Sequence, residues 1–208
     1  ATAPLTRVAK ATEFATRPGA LNGFWGDYVY KVGPYTTATG KRTAGLVRNT
    51  QTITSGVITD AAGNPLALDV GREYAAMVTA RSLGYNDAVK INITILYTYA
   101  NTPGPGDWQP MPSTWNANYT SANPVGSPFF LAGDGADGVG RGFGVVAGFV
   151  PKANPSPGAG QGLNPKVRIR ITLDYDESVD QNSLVSNSQA TVYIDNARLL
   201  RSRDSGII

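Results

Sequence analysis

The sequence predicts an all-β protein: a two-sheet antiparallel β-sandwich of the jelly-roll kind with an extended N-terminal arm. Three observations carry this expectation. Val89–Tyr97 (VKINITILY) and Val167–Leu173 (VRIRITL) alternate apolar and polar residues without a break, and a strict period of two marks a strand with one buried face. The 208 residues include 24 Gly and 14 Pro, spread so that they punctuate the chain at short intervals, as strands joined by turns require. No stretch carries the apolar spacing of an amphipathic helix longer than two turns.

Residues 1–20 read as an arm, small and polar, with Pro4 and Pro18 and no sustained period. Residues 21–208 read as the sandwich. The aromatics begin at Phe24 in GFWGDYVYKVGPY, where Tyr28, Tyr30 and Val32 fall on one face of a strand and Val29 and Lys31 on the other. Two further strands are expected at Ala44–Arg48 and Thr50–Ile58, closed by a turn at Asp60–Pro65. Ala67–Val70 leads through Gly71 into Glu73–Ala80, with Tyr74, Ala76 and Val78 on one side. After the strand at Val89–Tyr97, residues 101–128 form a polar loop holding Trp108, Trp115 and Tyr119. Residues 133–144 are a glycine-rich connection, Phe143–Val150 an apolar strand, and 151–165 a Pro/Gly loop. The strand at Val167–Leu173 turns Arg168, Arg170 and Thr172 outward, and Ala190–Leu200 closes the sandwich with Val192 and Ile194 inward. The total is eight to ten strands, enough chain to bury a core without disulfide or metal.

Composition narrows the chemistry. The chain has no Cys and no His, so thiol redox, Cys-based zinc sites and the usual serine triad are ruled out. Gly33–Lys41 (GPYTTATGK) has six residues between its glycines and Arg42 where a phosphate loop needs Ser or Thr, and GVGRGFG at 138–144 lacks a strand–turn–helix setting; both read as turns. Asp174, Asp176, Glu177 and Asp180 cluster after a strand without an apolar pocket to raise one pKa, and read as a solvated turn. No catalytic set and no metal or cofactor site is expected. The net charge of +3 is dispersed, with no basic stripe interleaved with aromatics, so no nucleic acid is expected as a partner. No apolar run approaches a membrane span, and ATAPLTRVAK has no apolar leader region.

The candidate binding residues are Trp108, Trp115 and Tyr119. Sugar rings present apolar C–H faces that stack on exposed indoles and phenols, and a large aromatic in a polar loop is harder to account for as core than Trp25 beside Phe24.

Four segments resemble a known family. Val192-Tyr-Ile-Asp-Asn-Ala-Arg-Leu199 is similar to the closing strand of carbohydrate-binding-module-like jelly rolls. Asp69-Val-Gly71-Arg-Glu-Tyr74 resembles their entry into a sheet, and Trp108-Gln-Pro-Met falls where they carry a Trp before a loop. Phe14 to Tyr28 resembles the opening of a carbohydrate-metabolism domain of the same fold. The resemblance spans residues 14–200 and implies the fold. Asp195 matches the family's closing Asp, but the acidic calcium ligand near the first strand is not evident, so the family's calcium does not carry over.

Such jelly rolls also serve as decoration and cement proteins on bacteriophage particles. A flexible arm, no catalytic residues and a compact β-body lead to the expectation of a non-enzymatic structural protein on a virion surface. There it would be a homo-oligomer bound to subunits of a capsid or surface lattice, its first 15 residues ordering against partners by strand addition. The alternative is an extracellular or cell-surface carbohydrate-binding module taking glycans at Trp108, Trp115 and Tyr119.

Overall fold

The computed structural model describes residues 5–15, 26–35, 48–83, 89–112, 129–130, 143–176 and 190–201. Their strands are β1 (Leu5–Ala9), β2 (Tyr28–Tyr35), β3 (Arg48–Thr54), β4 (Tyr74–Leu83), β5 (Val89–Ala100), β6 (Gln109–Pro110), β7 (Phe129–Phe130), β8 (Phe143–Phe149), β9 (Gln161–Asp176) and β10 (Ala190–Arg201). One helical turn, α1 (Lys10–Glu13), follows β1. Sheet A runs β1-β2-β10-β4-β8; sheet B runs β3-β9-β5-β6, with β7 also paired to β5. Every described strand pair is antiparallel. The expected antiparallel two-sheet sandwich is therefore the observed fold.

The alternation read from sequence sorts the two faces of sheet B. Ile91, Ile93 and Ile95 of β5 and Val167, Ile169, Ile171 and Leu173 of β9 are buried in one cluster. From sheet A the same cluster takes Val32, Tyr74, Ala76, Val78, Ala80, Phe149, Val192 and Ile194. Removing this much branched apolar surface from water holds the sheets together. Tyr74 stacks on Phe149 with ring centroids 5.8 Å apart, and its hydroxyl accepts the Asp69 amide at 3.0 Å. That contact accounts for the Asp69–Tyr74 motif physically: Gly71, at φ 79°, turns the chain so that Tyr74 enters the sheet.

Several boundaries differ from expectation. β9 begins at Gln161, inside the segment read as a loop, because its register slips opposite the step from Thr98 to Ala100 and Pro165 sits in that irregularity, where no ladder donor is needed. Arg48–Thr54 is one strand; residues 44–47 of the expected earlier strand lie outside the described residues. So do the glycine-rich segment 133–142, Phe24 with Trp25, Glu177 and Asp180.

The N-terminal arm differs most. Residues expected to order only against partner subunits instead join their own chain: β1 pairs along β2 from Leu5↔Val32 to Ala9↔Tyr28. α1 then folds back so that Phe14, 2% exposed, packs with Val29 and Tyr193 on the outer face of sheet A. The Phe14 and Tyr193 rings lie 4.7 Å apart. Polar neighbours hid this anchor, because a single buried Phe leaves no periodic signal. Nearby, Glu13 accepts hydrogen bonds from Lys31 and, at 2.6 Å, from the Tyr193 hydroxyl.

Candidate functional site

The outer face of sheet B is built from the polar half of the alternating strands. Register places its residues in rows: Thr54–Arg170–Thr94, Thr52–Thr172–Asn92, and Arg168–Leu96–Pro110. Thr94 and Leu96 are buried, whereas Thr52 and Thr54 are exposed and Asn92, Arg168, Arg170 and Thr172 half-buried. The open part of the face is thus β3 and β9 with Asn92 of β5 beside them, a strip of hydroxyls and one amide crossed by two guanidinium groups. Alternate residues on a strand stand about 6.6–6.8 Å apart, which sets the separation of Arg168 and Arg170 along β9.

Trp108 closes one end of this strip. The chain reaches it through a 3-10 turn at Pro105–Asp107, fastened by the Gly104 amide donating to Asp107 Oδ2 at 2.7 Å. β6 follows at once, with Gln109 opposite Tyr97 and Pro110 opposite Leu96. The indole is half-buried and carries the Arg168 guanidinium on its face, Cζ 4.1 Å from the ring centroid. The stack is a cation–π contact. One face of the indole is therefore taken by this chain itself.

Three polar atoms here lack partners. Trp108 Nε1, Arg168 Nε and Arg170 Nε are buried without a hydrogen bond. Among the described residues neither guanidinium lies within ion-pair distance of a carboxylate. Lys166, two residues before Arg168, is by contrast committed to the backbone: it donates to the carbonyls of Ala100, at 3.0 Å, and Asn101. Buried donors without acceptors are uncommon in folded proteins and mark strain or a missing partner.

Of the expected site residues, the structure describes Trp108 alone; Trp115 and Tyr119 lie outside the described residues. Arg168 and Arg170 were placed outward by the sequence pattern but not read as a site. Their alternation was visible; the absence of acceptors around them was not. Asp195, the residue matched to the family's closing Asp, accepts the Asn196 amide at 2.7 Å, and among the described residues no three His, Cys, Asp or Glu side chains gather to hold a metal. No helix among the described residues is long and apolar enough to cross a membrane.

A second concavity of about 430 Å³ opens between the sheets where β1 and β2 face β3. Leu5, Tyr30, Ile53, Ile58, Ile194 and Leu199 line it, with Ser55 and Arg198 as its polar members. The Ser55 hydroxyl already donates to the Gly56 carbonyl and accepts the Ile169 amide. The walls are almost wholly apolar and offer little to orient a polyhydroxylated ligand.

No protein-family model matches the sequence, and no curated protein matches it. Among solved structures, one described as "CBM4 structure and function" aligns at 12% identity over 95% of this chain and 86% of its own, with a TM-score of 0.34. A carbohydrate-binding module of type CBM28, specific for non-crystalline cellulose, aligns at 12% identity over 85% and 78%, again at 0.34. A structure of infectious bursal disease virus aligns at 10% identity over 86% and 44%, at 0.18. Scores this low lend no weight to the reading of the site.

Proposed function

We propose that this chain is a non-catalytic carbohydrate-binding module that holds its ligand across the outer face of sheet B. The observation that carries the reading is the strip beside Trp108. An indole at one end, short hydroxyl and amide side chains along it, and two guanidinium groups crossing it together form a surface suited to a chain of sugar hydroxyls. Polar groups that hydrogen-bond a ligand hydroxyl discriminate strongly, because they are left unpaired when it is absent. Trp108 contributes the exposed part of its half-buried ring, and Thr52, Thr54, Asn92 and Thr172 supply further donors and acceptors.

The capsid-decoration reading expected the first 15 residues to order only against partner subunits, and residues 5–15 make contacts within their own chain. The glycan reading is preferred for that reason. Its test is titration calorimetry of the whole chain against a panel of soluble polysaccharides, with the Trp108→Ala variant alongside. Binding to at least one polymer is expected, with affinity about tenfold or more weaker in the variant and little change in melting temperature. Absence of any glycan binding, or a variant that binds as tightly as the parent, would sink the proposal.

A further inference from the structure

We infer that the ligand of this face is an acidic glycan, its carboxylate or sulfate oxygens received by Arg168 and Arg170; the inference rests on the glycan-binding reading above. Three features of the strip lead there. Arg168 is held over the Trp108 ring, its Cζ 4.1 Å from the centroid, so the guanidinium is restrained beside the strip, and its planar fork of N–H groups suits the oxygens of a carboxylate or sulfate. Arg170 projects from the same face two residues on, also without a carboxylate partner among the described residues. Both carry a buried Nε donor with no acceptor.

Among the described side chains Arg168 and Arg170 have no carboxylate partner; a neutral sugar leaves them so, and desolvating them is unfavourable. An anionic group reverses that sign, and charge-assisted hydrogen bonds are the stronger kind. The neighbouring Thr52, Thr54, Asn92 and Thr172 then meet hydroxyls of the same chain of sugars. A single-stranded nucleic acid has the same charge, but its binding sites stack successive bases on several aromatics. Here the described strip has Trp108, and Arg168 already covers one of its faces.

The test compares matched polymer pairs on the full chain by calorimetry: polygalacturonate against its methyl-esterified form, and dextran sulfate against dextran. An oligothymidylate is included as a third anion. At least one anionic member is expected to bind about tenfold tighter than its neutral twin. Arg170→Gln should remove most of that preference, while Lys152→Gln, an exposed cation elsewhere, should leave it in place. Preference for polygalacturonate names a carboxylate ligand, and preference for dextran sulfate a sulfate; either supports the inference.

Equal binding within both pairs overturns the acidic ligand and leaves the glycan reading standing. No binding to any polysaccharide overturns both. Tighter binding of the oligothymidylate replaces the glycan with a nucleic acid. A Lys152→Gln effect as large as that of Arg170→Gln reduces the preference to diffuse charge and overturns the assignment of Arg170.

Discussion

Glu13 shows how one charged side chain can serve a fold. Burial raises its pKa, but the hydrogen bonds from Lys31 and Tyr193 and the nearby ammonium outweigh it and hold the carboxyl below its usual range. A carboxylate with a depressed pKa stabilises the folded state fully above its unfolded value, about 4.3. That contribution is lost as pH falls through the folded value. Glu13→Gln should therefore cost about 1 kcal/mol at pH 7. The cost should fade as pH drops below about 4. Urea unfolding of both proteins at pH 7 and at low pH measures this, and a pH-independent gap would assign the cost to packing instead. Asn196 makes a second residue-scale case. It sits at φ 58° where the β10 register breaks between Asp195 and Arg198, and its Nδ2 is buried without a partner. Glycine adopts this backbone freely, so Asn196→Gly should be neutral or slightly stabilising. A β-branched residue strains there, so Asn196→Val should cost about 1–2 kcal/mol. Equal thermal shifts in the two variants would refute the backbone account.

The β1–α1 unit decides how sheet A is finished at its edge. β1 pairs along β2, and Phe14 with Val8 covers Val29 and Tyr193 on the outer face. Phe14→Ala leaves a hole in a small cluster and should cost about 3 kcal/mol or more. Deleting residues 1–9 should lower the melting temperature and expose β2 as an unpaired edge open to self-association. Light scattering and thermal denaturation of the truncated chain test this; an unchanged melting temperature and a clean monomer would mean that the strand adds nothing. This unit was not legible in the sequence, and the reason is physical. Periodicity reports repeated burial on one face, which β5, β9 and β10 display over many residues. β1 has exposed and half-buried positions along its five residues, and α1 is anchored by Phe14 alone. The proposed site divides the same way: Trp108 stands out by composition, whereas the case for Arg168 and Arg170 depends on which atoms across three strands fail to reach them.

At the scale of the whole molecule, the order of strands makes the C-terminal segment indispensable. β10 lies between β2 and β4, so it joins two parts of sheet A that have no other described strand between them. Its two faces serve different clusters: Val192 and Ile194 enter the core between the sheets, and Tyr193 enters the outer one with Phe14. β2 and β10 are far apart in sequence, as are β3 and β9, whose pairing runs from Arg48↔Asp176 to Thr54↔Arg170. Closing such long loops before the contacts form is slow, and refolding on the millisecond-to-second scale is expected from stopped-flow tryptophan fluorescence. The same topology predicts that a chain ending at residue 189 does not fold. Without β10, β4 and β2 would each present an open edge, and both clusters would lose buried members. The proposed glycan face on sheet B would then be lost although none of its residues had been removed, because its backing is the shared core. Circular dichroism and proton NMR of the shortened chain decide the point. A poorly dispersed spectrum without a cooperative melt is expected, and a dispersed one with ligand binding intact would show that sheet B folds independently of sheet A.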